Sequence, residues 1–356
     1  MKKGDLKYFL AANSSEGFVS SFGDNYNAKE GWRVYIIKGG PGTGKSSFMK
    51  FVAKTAKEKN ITAVACPCSS DPDSLDGVIF PDMKTAIFDG TSPHIIEPYY
   101  AGVCEEILNF GQFWDEKFLL ENRAEIIKLT DENKEMHKNA SKYLTAAGSL
   151  LKDNLEIFKA LSNKEKLSHY AKLLSKKYIK GKGEKASLIN RYICGTTPNG
   201  VVSFSEELLA FCQNTVIIED ESGFCADALV SAVCKDALSK NYSVIALKNP
   251  FLPSALWDGI IIEELSLAIL REYSYQKINS ESRRIHARRF IDKSGLKNRK
   301  CRIKFNSKIA DELIKSAIEY LKKAKAVHDE LEKYYVKAMD FTELLKYAEG
   351  FSEKLF

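Results

Sequence analysis

Four apolar residues, Val34-Tyr-Ile-Ile37, run into Lys38-Gly-Gly-Pro-Gly-Thr-Gly-Lys-Ser-Ser47, and the segment from Ser47 to Lys59 contains neither Gly nor Pro. The β-branched run predicts a buried strand, and the segment behind the glycines predicts a helix. Thr62 to Cys66 and Thr85-Ala-Ile-Phe-Asp89 read as two more short strands. The pattern then changes. All nine prolines lie in 41–98 or 198–253, which leaves 99–197 and 254–356 free to be helical. Apolar residues at helical spacing, Leu119, Leu120, Ala124, Ile127, then Ala140, Tyr143, Leu144, Ala147 and Leu151, predict long amphipathic helices forming a hairpin that turns near Gly148 to Asn154. The second proline-free block repeats this character from about Asn306 to Leu355. The chain therefore reads as α/β, with two three-layer lobes (1–100 and 186–272), each followed by a helical arm (101–185 and 273–356).

The two lobes resemble one another. Lys7-Tyr8-Phe9 is similar to Arg191-Tyr192-Ile193, and Gly17-Phe-Val-Ser20 to Gly200-Val-Val-Ser203. Val34 to Ile37 aligns with Thr215-Val-Ile-Ile218 at an offset of 181, which also carries Asn60 onto Asn241. Leu75-Asp-Gly-Val-Ile79 then meets Leu256-Trp-Asp-Gly-Ile-Ile261, and Ala140-Ser-Lys-Tyr-Leu144 meets Ala317-Ile-Glu-Tyr-Leu321. Matches in constant order at a near-constant offset predict an internal duplication.

Gly39 to Ser46 fits G-x-x-x-x-G-K-S, the Walker A pattern of a phosphate-binding loop. Gly39, Gly40, Gly42 and Gly44, with Pro41 and Thr43 between them, let successive N–H groups point at phosphate oxygens. Lys45 is placed to reach the β- and γ-phosphates and Ser46 to hold Mg²⁺. With Ser47, they open a helix whose positive end faces the same anion. Asp89 ends an apolar strand as a Walker B carboxylate does, a second Mg²⁺ position. Gly90 stands where motor-type ATPases carry a catalytic glutamate, so the base is unassigned. Asp71, Asp73 and Asp76 follow the second strand, where open α/β sheets gather ligands; they either orient a water or acceptor hydroxyl or cap a turn. Asp76 joins Lys45 and Asp89 as a catalytic candidate because its counterpart, Asp258, persists in the second lobe. His94 either senses a γ-phosphate or caps a loop.

In the second lobe Gly39 becomes Asp220, Gly44 becomes Cys225, Lys45 becomes Ala226 and Ser46 becomes Asp227, while Arg271 stands in place of Asp89. Carboxylates at the loop repel a triphosphate and the lysine is gone. This reads as a degenerate site, kept for packing or for regulation, and one nucleotide per chain is expected. Arg271 is expected to pair with Asp220 or Asp227.

Composition adds bounds. The 356 residues suffice for two cores, and 44% hydrophobic with 28% charged residues is ordinary for a soluble protein. No apolar run approaches the ~20 residues of a membrane span. The start, Met1-Lys-Lys-Gly-Asp-Leu-Lys7, lacks the apolar core of a secretion signal, so a cytoplasmic protein is expected. Eight cysteines without metal-finger spacing fit reduced thiols; Cys66-Pro-Cys68 is either two small core residues or a ligand pair. The net charge of +6 decides nothing about nucleic acid. Ten basic residues from Arg283 to Lys304, against Asp292 alone, can meet nucleic-acid phosphates, supply a cation to a neighbouring site, or form a solvated helix face.

Ile37 to Ser46, Cys68 to Val78 and Ile87-Phe-Asp-Gly-Thr-Ser-Pro-His94 together resemble a family of bacterial tandem-repeat P-loop ATPase-like proteins, over essentially the whole chain. The resemblance implies duplicated P-loop NTPase-like lobes and ATP binding, but names no substrate or partner. The degenerate second loop departs from that pattern. The leading expectation is an ATP- and Mg²⁺-binding protein with slow hydrolysis coupled to movement of the arms. The alternatives are a small-molecule or nucleotide kinase with the arms as lid, and a non-catalytic nucleotide-gated module with a protein partner.

Overall fold

In a computed structural model that describes residues 6–356, the Val34 to Ile37 run becomes the interior of a five-stranded mixed sheet. A hairpin, β1 (Ala11–Ser14) and β2 (Gly17–Ser20), precedes β3 (Arg33–Lys38), α1 (Lys45–Glu58), β4 (Val64–Pro67), β5 (Leu75–Phe80), β6 (Thr85–Asp89) and β7 (Glu105–Asn109). The sheet order is β4-β5-β6-β3-β7. β3 runs parallel to β6 and β7, whereas β4, β5 and β6 alternate in direction. The first arm follows as α2 (Glu116–Glu121), α3 (Arg123–Leu161) and α4 (Lys164–Tyr178).

The second half begins with β8 (Ser187–Arg191), the hairpin β9 (Cys194–Thr197) and β10 (Gly200–Ser203), and the short α5 (Ser205–Phe211). It continues with β11 (Asn214–Glu219), α6 (Phe224–Ser239), β12 (Ser243–Lys248), β13 (Trp257–Ile262), β14 (Leu267–Glu272) and β15 (Arg283–His286), then α7 (Lys293–Ala338) and α8 (Phe341–Leu355). Its sheet order is β8-β12-β13-β14-β11-β15, so beyond β8 the order and strand directions repeat those of the first sheet. β8 pairs in parallel with β12, and Lys7 makes a single parallel bridge to Ala65 at the same place in the first half. β7 and β15 carry the sheets past the expected boundaries at residues 100 and 272.

Alternation within each strand divides the molecule into layers. Val34, Ile36 and Phe88 of the first sheet share one core with Ile217, Leu247 and Leu270 of the second, filled between by Phe9, Leu10, Tyr192 and Ile193. Phe9 and Tyr192 exchange backbone hydrogen bonds at 2.8 and 3.0 Å in its midst. On the outer faces, Ile37 and Ile87 pack on α1 and α8 through Phe48, Met49 and Leu344, and Val216 and Ile218 pack on α6 and α4 through Leu229 and Leu167.

The arms cross. α3 and α7 lie antiparallel, with Asn133 bonded to the Ala324 carbonyl (2.8 Å), Tyr143 stacked on Tyr320 (5.5 Å) and Asn154 bonded to Ser307 (3.1 Å). Each arm ends on the other sheet: α4 covers α6, and α8 covers α1. Matching backbone bonds pin the two junctions, Asp115 N–H to Ala338 O and Asp340 N–H to Phe113 O at one, Asp292 N–H to Leu161 O and Asn163 N–H to Phe290 O at the other. Among the described residues no helix is long and apolar enough to cross a membrane, and the charged start, Met1 to Asp5, lies outside them.

The expected hairpin turn near Gly148 to Asn154 does not exist. α3 continues through it and turns at Ser162 and Asn163. Gly148 is there for contact: a Cβ on it would lie 2.2 Å from the Ser15 Cβ, where the helix presses on the β1–β2 hairpin. Asn154 is buried and bonded to Asn306 at 3.0 Å across the arms. Gly148→Ala is expected to lower stability in urea unfolding by about 1–3 kcal/mol, although alanine gains roughly 1 kcal/mol in helix propensity. A neutral or stabilising result would show that the helix can move off the hairpin.

Candidate functional site

β3 delivers the chain to its carboxyl end at Lys38, and residues 39–44 turn back to start α1 at Lys45. Gly42 (φ +69°) and Gly44 (φ +82°) occupy the left-handed region, which side chains disfavour and glycine does not. Lys45 Nζ lies 2.6 Å from the Gly40 carbonyl and 3.6 Å from Asp89 Oδ2. Asp89 is aimed from the end of β6 because its other oxygen accepts from Thr91 N–H (2.9 Å) and Oγ1–H (2.5 Å). Ser46 Oγ accepts the Leu75 N–H at 3.0 Å. A Cβ at position 90 would stand 2.3 Å from Ile36 Cγ2, so packing against β3 leaves no room for the glutamate that is missing from the sequence.

These groups face a cleft of about 780 Å³. Gly39, Pro41, Gly42, Thr43, Gly44, Lys45, Ser46 and Ser47 line it together with Asp76 and Asp89; Gly40 lies beneath the Tyr335 ring, 2.4 Å from where its Cβ would be. Asp71 is on the rim, 3.8 Å from Lys325, while Asp73 offers its carbonyl to Lys50 outside the lining. The opposite wall comes from the arms, His137 on α3 and Lys325, His328, Glu332 and Tyr335 on α7. His328 bonds Glu332 at 3.3 Å and holds that carboxyl below its ordinary pKa.

His94 Nε2 lies 3.3 Å from Asp76 Oδ1, with both side chains buried. Burial works against the protonated ring, but Asp76, with Asp89 behind it, outweighs burial and raises His94 above the ordinary histidine value. Burial, then Asp76, holds the Cys68 thiol well above its usual range.

The second lobe shows why its loop differs. Gly223 (φ +85°) matches Gly42, but α6 starts at Phe224, one position after it, so the turn that Gly44 makes is absorbed into helix. Asp220 sits in the remaining space and accepts from the Ala226 N–H (2.9 Å) and the Ser222 N–H (3.1 Å). The chain's own carboxylate thus takes the N–H groups. Arg271 does not pair with the Asp220 or Asp227 carboxylates as expected. It binds Asp258 Oδ1 (2.9 Å), which is buried on the neighbouring strand, and the carbonyls of Asp220 (2.7 Å) and Glu221 (2.8 Å). Asp227 keeps the role of Ser46, accepting the Trp257 N–H at 3.0 Å.

The basic segment divides. Arg284 pairs with Glu219 and Glu272, and Arg302 with Asp153, whereas Lys293, Lys297, Lys300 and Lys304 line a larger cavity of about 1160 Å³ beside the second lobe. Sequence reasoning missed the α7 wall. His328, Glu332 and Tyr335 share one helix face by their spacing of four and three, but nothing in that spacing says that the face covers the first lobe.

Comparison with protein-family models, with curated proteins and with solved structures finds no match for this chain.

Burial pushes Asp227 up from 3.8 to about 6. The folded carboxyl therefore holds its proton more tightly than the unfolded chain does, and its contribution to stability falls as pH rises from about 4 to 6. Asp227→Asn, which keeps the acceptor for Trp257, should be neutral near pH 4 and stabilising above about pH 6, by on the order of 1–3 kcal/mol. Urea unfolding at both pH values tests this; an identical difference at both would overturn it.

Proposed function

We propose that the chain is a duplicated P-loop protein in which the first lobe binds Mg-ATP and hydrolyses it slowly, with the arms responding to the bound nucleotide. The observation that carries the reading is the convergence of a glycine-rich loop, Lys45, Ser46 and Asp89 on one cleft, whose volume of about 780 Å³ suits a nucleotide. The repeated strand order supports duplication. In the proposed complex the loop N–H groups and Lys45 hold the phosphates, and Ser46 and Asp89 hold the ion. Slow turnover follows from Gly90, which offers no carboxylate, and from Asp76, already engaged by His94. The Asp220 carboxylate keeps the second lobe without nucleotide. The eight free cysteines support a cytoplasmic setting.

Titration calorimetry is expected to give one Mg-ATP per chain, weakened by at least ~2 kcal/mol in Lys45→Ala. Two sites, or unchanged affinity in the variant, would overturn the assignment. Free phosphate without an acceptor supports hydrolysis; ADP formed only with an acceptor supports the kinase alternative.

Coupling to the arms rests on the contact of Tyr335 and Glu332 with the loop glycines. Hydrogen exchange over residues 325–338 of α7 should slow on addition of Mg-ATP. Unchanged exchange with saturated nucleotide would leave binding in place and remove the coupling.

A further inference from the structure

β4, β5 and β6 are adjacent strands, and at their cleft ends Cys68, Asp76 and His94 bring a thiol, a carboxylate and an imidazole together. One potential ligand atom from each lies within 4.8 Å of the others. Two atoms of this group, Asp76 Oδ2 and His94 Nδ1, are buried and have no hydrogen-bond partner among the described residues. Buried polar atoms are seldom left so.

The second lobe shows how the same place is satisfied by protein alone. At offsets of 181 and 182 residues, Asn249, Asp258 and Gln276 correspond in sequence to Cys68, Asp76 and His94, and Gln276 donates to the Arg271 carbonyl at 2.7 Å. There the Asp258 carboxylate is saturated by Asn249 (2.9 and 3.0 Å), Tyr273 (3.1 Å) and the Arg271 guanidinium (2.9 Å). In the first lobe the arginine position is Asp89, a second carboxylate, and the asparagine and glutamine become a thiol and an imidazole. Where one lobe meets its buried carboxylate with an arginine, a tyrosine and an asparagine, the other sets a thiol and an imidazole beside it, and Lys45 lies 3.6 Å from Asp89.

We infer that Cys68, Asp76 and His94 bind a transition-metal ion, for which zinc has the matching ligand preference. Tetrahedral zinc ligands stand about 3.3–3.7 Å apart, so side-chain shifts of about 1 Å close the set. Cys68 binds as thiolate and gives its proton to solvent. The fourth position is left to water from the cleft, which all three residues line. The inference is separate from the nucleotide reading, since the ion binds without ATP.

The test uses full-length protein stripped with a chelator and titrated with Co²⁺, then Zn²⁺, without nucleotide. The expected result is about one Co²⁺ per chain, with a thiolate-to-cobalt charge-transfer band and the visible bands of tetrahedral cobalt, both displaced by Zn²⁺. Cys68→Ser should abolish the charge-transfer band, and His94→Gln should weaken Co²⁺ binding at least ~10-fold. Cys301→Ser, at an exposed cysteine, should change nothing, and Lys45→Ala should keep the cobalt spectrum while losing ATP. Folded wild-type protein without a thiolate band, or a band that survives Cys68→Ser, overturns the site. If Cys68→Ser does not fold, unchanged Co²⁺ affinity in folded His94→Gln overturns it.

Discussion

The antiparallel contact of α3 with α7 is the constraint on which the rest of the molecule depends. Ala140, Leu144 and Ala147 face Ala310, Ile314, Ala317 and Leu321, so small residues let two long helices approach closely along their length. Each helix is anchored at one end by the sheet it leaves and at the other by the sheet it reaches. The reciprocal backbone bonds at 113–115 with 338–340, and at 161–163 with 290–292, convert that contact into a fixed spacing between lobes. α8 alone, burying Leu344 and Ala348 with Phe351 beside them, contributes several kilocalories at about 1.5–3 kcal/mol per large apolar side chain.

The two loops show what charge does to one backbone plan. In the first, glycines at 42 and 44 adopt left-handed backbone and line a cleft. In the second, helix begins earlier and the Asp220 carboxylate accepts N–H groups of the loop from within. Arg271 extends the substitution, since burial opposes its charge and the buried Asp258 more than offsets the cost. A carboxylate in the nest and a guanidinium at the end of β14 together make the second lobe self-sufficient.

Much of this was legible in the sequence where local chemistry decides. Gly42 and Gly44 announce a loop because few other residues adopt its dihedral angles, and Thr85 to Asp89 is a strand with the bounds its apolar run implies. The correspondence of residues 34–37 with 215–218 gave the strands that later occupy equivalent sheet positions. What escaped depends on distant partners. Gly148 and Asn154 carry the local marks of a turn, and only Ser15 and Asn306, far away in the chain, explain them as packing residues. The pairing of Asp76 with His94, and of Arg271 with Asp258, follows from which strands lie side by side, which side-chain type alone does not reveal. Hydrophobic periodicity told that α7 has a buried face, but not that its last turns lie over the loop of the opposite half.

That crossing sets an order on the making of the protein. The loop glycines near residue 40 leave the ribosome about 295 residues before Tyr335, the ring that roofs them. Throughout that interval Phe48 and Met49 of α1 lack the cover of α8. Until α7 and α8 emerge, the nascent chain lacks one wall of the cleft and the cover over α1. A chain stopped short of α7 keeps the glycine-rich motif but lacks the wall of the cleft that His328, Glu332 and Tyr335 supply.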